Sequence, residues 1–204
     1  MVNIFYTANY SLDLFSFLLT LFISYYSFKI YKVTHRRNEK VLTISFLLMS
    51  LSLLTKLLTN FLSNYYRLGF NVDLLYPGTI LFNIILLTAY TTLDKLVLKI
   101  KKIELFTLQF LIILYATLLS LLNSFLFFDV TGFILLTYPV AHFYKNAFSR
   151  KKKNSLLIAI SFTSLMFSHL AQILQTFGSI TYMDNVLRLF GFLMLAIAMW
   201  KIRK

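Results

Sequence analysis

Apolar residues run through this chain in blocks of about 16 to 25, broken by short basic stretches. Seven blocks can be read, at 11–28, 41–62, 77–98, 105–127, 130–148, 156–177 and 185–200. Each is long enough to cross about 30 Å of hydrocarbon at 1.5 Å per residue, the last with help from its flanks. The pattern predicts an all-α integral membrane protein, a seven-transmembrane-helix bundle in one domain over 1–204. Connections of about a dozen residues leave no room for an ATPase, a kinase or a nucleic-acid-reading domain.

Composition agrees with the pattern. The chain is 59% hydrophobic and only 13% charged, where a soluble domain carries about a quarter of its residues as charges. A net charge of +13 raises the question of a nucleic-acid partner, but the positions argue against one. Of twenty Lys and Arg, seventeen fall on one predicted side, in the clusters 29–40, 95–102, 145–153 and 201–204. The other side holds Arg67 and Arg188, and Lys56 lies inside a span. The positive-inside bias then puts the N-terminus outside and the C-terminus in the cytoplasm, and suggests a multi-pass protein of the plasma membrane. The basic inner face should attract anionic lipids.

There is no cysteine, so disulfides and thiol chemistry are absent. The start lacks the basic region and cleavage site of a secretory signal, so the first block is expected to be a retained span. No dinucleotide fingerprint, phosphate loop or His-rich metal motif is present, and His35, His142 and His169 fall at different depths. The sequence predicts no enzyme, cofactor or metal.

Local features refine the spans. Ser11 and Asp13 stand where a helix N-cap and a dipole-favoured acid are expected. Most tyrosines fall near predicted ends and read as interfacial belts. Tyr90, Tyr115 and Tyr138 are deeper and are expected to face the bundle, because a phenol in lipid needs a hydrogen-bond partner. Pro139, near the middle of span five, should bend its helix. All seven Asp and Glu lie at predicted helix ends or in loops, so no carboxylate relay for protons is expected.

Spans two and six overlay with a shift of 116 residues. Residues 44–61 and 160–177 agree at seven of eighteen positions, among them Ile44-Ser45-Phe46 with Ile160-Ser161-Phe162. The overlay predicts a 3+1+3 parallel repeat with span four as linker, an arrangement that puts a site at the repeat interface. The layout resembles that of the seven-helix SWEET sugar transporters in architecture. Their proline-glutamine pairs are missing, since Pro139 stands between Tyr138 and Val140. Microbial rhodopsins also have seven helices, but hold retinal on a lysine deep in the last; residues 185–200 contain none.

The polar residues inside the spans carry the functional reading. Lys56 sits about 9 Å from the outer end of its span, where a cation either snorkels to the headgroups or lines a cavity. Asn60 follows it by one turn, and Gln172 overlies it under the repeat shift. His169, Gln175, Asn83 and Arg188 are expected at similar depth, with Asp13 as counter-charge. Together they predict a pocket open to the outside and lined by spans two, three, six and seven, suited to a small polar or anionic solute. Transport is the first reading. A receptor-like or sensory module with a partner subunit, and an assembly subunit that binds a membrane partner or its own copies, are the alternatives.

Overall fold

The computed structural model describes residues 2–66, 75–98, 107–112, 114–115, 118, 126–150, 153–176 and 183–202. Six long helices run through them: α1 Val2–Thr34, α2 Arg37–Tyr66, α3 Leu75–Leu98, α4 Leu126–Arg150, α5 Lys153–Gln175 and α6 Met183–Ile202. Each is long and apolar enough to cross a membrane. The fourth predicted span falls largely outside the described residues. Its described part is helical and touches α3, where the Gln109 amide donates to Thr92 Oγ1 at 3.0 Å. α4 continues through Pro139 without interruption.

The helices are amphipathic in the inverse of the usual sense. On α1, Asp13, Ser16, Thr20, Ser24 and Ser27 are buried, while Leu14, Phe15, Leu18, Leu21, Phe22 and Tyr25 are exposed. These sets follow the 3.6-residue period on opposite faces. α5 repeats the pattern with Ser161, Ser164, Ser168 and His169 inside and Leu156, Phe167 and Leu174 outside. Water would not tolerate such a surface, whereas lipid selects it. The small hydroxylated face lets backbones approach, and many of its hydroxyls find carbonyls within the bundle, although Ser27 Oγ has no partner among the described residues. Some stay on their own helix, as Ser45 Oγ to Val41 O at 3.0 Å. Others cross between helices: Ser24 Oγ donates to Thr43 O at 3.1 Å and Ser164 Oγ to Leu187 O at 2.6 Å.

Neighbouring helices close a ring in the order α1, α2, α3, α4, α5, α6 and back to α1. Cross-helix contacts fix the directions. Asp13 meets Lys56 and Ser24 meets Thr43, so α1 and α2 are antiparallel. Lys56 lies over Phe82, and a Cβ on Gly78 would collide with Thr59, which makes α3 antiparallel to α2. Asn9 meets Asn185 and Asp13 meets Arg188, so α6 runs with α1. Arg188 with Gln172 sets α5 against α6, and Asp129 with His169 sets α4 against α5. Hence α1, α3, α4 and α6 point one way and α2 and α5 the other. Lys29, Lys32, Lys95, Lys145 and Lys201 thereby gather at one end, here the basic end, together with the α1–α2 turn. That turn is capped by His35 in the left-handed conformation (φ 50°), whose N–H donates to Tyr31 O at 2.8 Å.

Along the ring axis the interior changes character. Ile23, Phe46, Met49, Leu165, Phe192 and Leu195, with other apolar residues from all six helices, form one cluster. On α1, α2, α5 and α6 the charged and amide residues lie beyond this cluster, away from the basic end: Asp13 precedes Ile23, Lys56 follows Met49, Gln172 follows Leu165 and Arg188 precedes Phe192. On these four helices the interior is apolar toward the basic end and polar toward the far end.

Candidate functional site

The far end is built on an ion pair between α1 and α2. Lys56 Nζ lies 2.9 Å from both carboxylate oxygens of Asp13 and donates to Asn185 Oδ1 at 3.3 Å. The Asp13 side chain is 4% exposed and that of Lys56 24%. One sequence expectation fails here, and one of the two open readings of Lys56 is set aside. α1 extends back to Val2, so Asp13 is not a cap but a mid-helix residue on the buried face. Lys56 does not snorkel to the headgroups, because a carboxylate within the bundle holds its ammonium.

Arg188 on α6 joins the two halves of the network. Its Nη2 donates to Gln172 Oε1 at 3.3 Å and its Nη1 to Asn185 Oδ1 at 3.5 Å. Asp13 and Asp184 lie 3.9 and 3.8 Å away. Gln175 Nε2 donates to Asp184 Oδ1 at 2.9 Å. Two cations thus face two carboxylates, all buried except for part of Lys56. Such a cluster is favourable only because each charge has partners of its own.

Beside the network lies a cavity of about 250 Å³ between α2, α3 and α5, lined by Lys56, Thr59, Asn60, Gly78, Thr79, Phe82, Asn83 and Gln172. Gly78 draws α3 close to α2 at its rim. Phe82 lies under the ammonium, 5.9 Å from ring centre to Nζ. The side-chain amides of Asn60 and Asn83 line the cavity and have no hydrogen-bond partner among the described residues. Four of the eight residues singled out by sequence, Lys56, Asn60, Asn83 and Gln172, therefore share one cavity. Asp13 and Arg188 stand behind it, and Gln175 belongs to the Asp184 contact. Span seven, expected as a wall, contributes no lining residue and braces Lys56 through Asn185 and Gln172 through Arg188.

The eighth residue belongs to a second cluster. His169 Nδ1 lies 2.9 Å from Asp129 Oδ1 and His169 Nε2 lies 3.0 Å from the Tyr90 hydroxyl. All three residues are buried. Gly132 makes room for the ring: a Cβ there would sit 2.9 Å from its Cε1 and Nε2. Asp129, expected at a helix end or in a loop, lies on the first turn of α4, which starts at Leu126, and is buried. Asp94, on α3, is also buried, and its Oδ1 has no hydrogen-bond partner among the described residues. The acids were expected at helix ends or in loops: Asp94, Asp129 and Asp184 do lie near helix ends, although buried, whereas Asp13 lies in mid-helix. Of the three deep tyrosines only Tyr90 faces inward. Tyr115 and Tyr138 are about half exposed, Tyr138 on the same outer stripe of α4 as Ile134.

No known protein family, curated protein or solved structure matches this chain. Function must therefore be argued from the site. Its missed members, Asp184 and Asn185, carried a sequence signal, since Asp184 precedes Arg188 by one helical turn. Asp129 carried none. No group of three metal-ligating side chains occurs among the described residues.

Proposed function

We propose that this chain is a seven-crossing membrane protein that binds a small polar solute in the α2–α3–α5 cavity and moves it across the membrane. The carrying observation is the cavity itself, lined by the open amides of Asn60 and Asn83 together with Lys56. A bundle core that only packs would leave no amide unpaired.

The parallel directions of α3 and α4 support the seventh crossing: a chain leaving α3 at the basic end must return before α4 can begin at the far end. The basic end faces the cytoplasm by the positive-inside rule, so the cavity opens outward and the apolar cluster lies inward of it. The ring also supports the repeat. Exchanging α1–α2–α3 with α4–α5–α6 maps every neighbour onto a neighbour and preserves each direction. It places Lys56 over Gln172, and both line the cavity. A site shared by two parallel repeats fits a carrier that rocks one half against the other.

The charge balance narrows the solute. Lys56 is already neutralised by Asp13, and Arg188 by its carboxylate neighbours, so an anion would meet little net attraction. Uncharged or zwitterionic molecules rich in hydroxyl, amide or amino groups suit the free donors and acceptors better. The test is a thermal-shift screen of the purified chain in lipid nanodiscs against monosaccharides, polyols, amino acids and monocarboxylates. Radiolabelled uptake of any stabilising compound into proteoliposomes follows. A neutral or zwitterionic hit, lost in Asn60→Ala/Asn83→Ala, is expected. If none of the four classes stabilises the protein, the reading fails. Binding without uptake would keep the cavity and replace transport by sensing.

A further inference from the structure

We propose that Asp129, His169 and Tyr90 form a proton-binding site, distinct from the solute cavity and linked to it through Gln172. The hydrogen-bond pattern determines which nitrogen is free. An ionised carboxylate only accepts, so Nδ1 carries the hydrogen that it gives to Asp129, and Nε2 accepts from the Tyr90 hydroxyl. A proton taken from water can then add at one place, Nε2. A new N–H bond forms there and no electrons are transferred. The ring need not move, because Tyr90 oxygen changes from donor to acceptor and its hydrogen turns away. The orphan Oδ1 of Asp94 lies one turn further toward the basic end on the same face of α3, about 6 Å along the axis. It is the natural next acceptor on the way to the cytoplasmic side.

Charge balance points the same way. The groups in contact with His169 are Tyr90 from α3 and Asp129 from α4, and the charge of Arg188 from α6 acts on Tyr90. Asp13 and Asp184 are offset by Lys56 and Arg188. Asp129 has an ion-pair contact only with His169 among the described residues. A buried carboxylate without a counter-charge is costly in lipid, and one proton on His169 supplies it. Gln172, three residues along α5 on the same face, binds Arg188 with its oxygen and lines the cavity. A charge appearing at His169 is therefore felt where the solute sits. This linkage rests on the cavity reading; the proton site does not.

The test uses the full chain in nanodiscs with ¹⁵N-labelled histidine and no solute. His169 is assigned by the resonance lost in His169→Gln. We expect Nε2 to take up a proton on acidification, with Nδ1 protonated throughout. Asp129→Asn should abolish or displace that step, and Gln172→Ala should move its midpoint by about threefold in proton affinity. A single unchanging protonation state in the native chain from pH 5 to 9 overturns the proposal whether or not the variants fold. So does an unaltered step in Asp129→Asn. An unmoved midpoint in Gln172→Ala overturns the linkage. Because the titration needs no solute, its failure leaves the cavity reading standing, and a failed solute screen leaves the proton site standing.

Discussion

The two buried clusters use charge differently. In the Asp13–Lys56–Arg188–Asp184 network every charge is offset by another side chain, and the network borders a cavity. In the Asp129–His169–Tyr90 cluster the only cation on offer is an imidazole, charged only when it holds a proton, and Gly132 packs against the ring. The first arrangement ties α1, α2, α5 and α6 together through side chains of opposite charge. The second ties α3, α4 and α5 together through one imidazole. A membrane bundle can thus separate the charges that hold it together from the charge that responds.

The largest expected effect tests the first half of this contrast. Asp13→Leu or Lys56→Met alone leaves a buried partner uncompensated and should cost about 3 kcal/mol, near the lower end for such pairs because Lys56 is partly exposed. The double variant should recover most of that loss, a pattern read by SDS-induced unfolding in mixed micelles. If the singles and the double cost the same, the pair is no structural tie. Next comes Gly132→Ala, whose methyl group must push the His169 ring aside. It should lose roughly 1–3 kcal/mol and also alter the His169 resonances. Gly191→Ala, which crowds Leu165 and the Ser161 carbonyl instead, should lose a similar amount and leave those resonances alone. Equal effects on the resonances would erase the distinction between clusters. The smallest stability change belongs to Asn60→Ala. It removes no hydrogen bond and should stay within about 0.5 kcal/mol while weakening solute binding. A large loss of stability would mean that Asn60 holds the bundle together and does not serve the cavity.

Some of this was legible without a structure. Lys56, Asn60 and Gln172 stood out because a cation or amide within an apolar block demands a reason, and all three line the cavity. Asn83 was found by the same rule. His169 was found too, but its cluster was not, since Asp129 read as an acid at a helix end and Tyr90, though expected to face the bundle, had no partner to point to. Asp13 was misread as a cap because the apolar block begins near it, while the helix extends further toward the N-terminus.

The chain's linear order determined the apolar spans, the gathering of cations at one end and the helical face each polar residue occupies. All of these follow from the solvent preference of each side chain and a fixed 3.6-residue period. Only the tertiary structure decided which face meets which. Asp13 finds Lys56 across 43 residues, Lys56 finds Asn185 across 129, and Tyr90 finds His169 across 79. Helical periodicity says nothing at such separations, because the angle of one helix about its axis carries no information about its neighbour. The balance of two cations against the buried carboxylates is a sum over five of the six helices, and it exists only once the ring has closed.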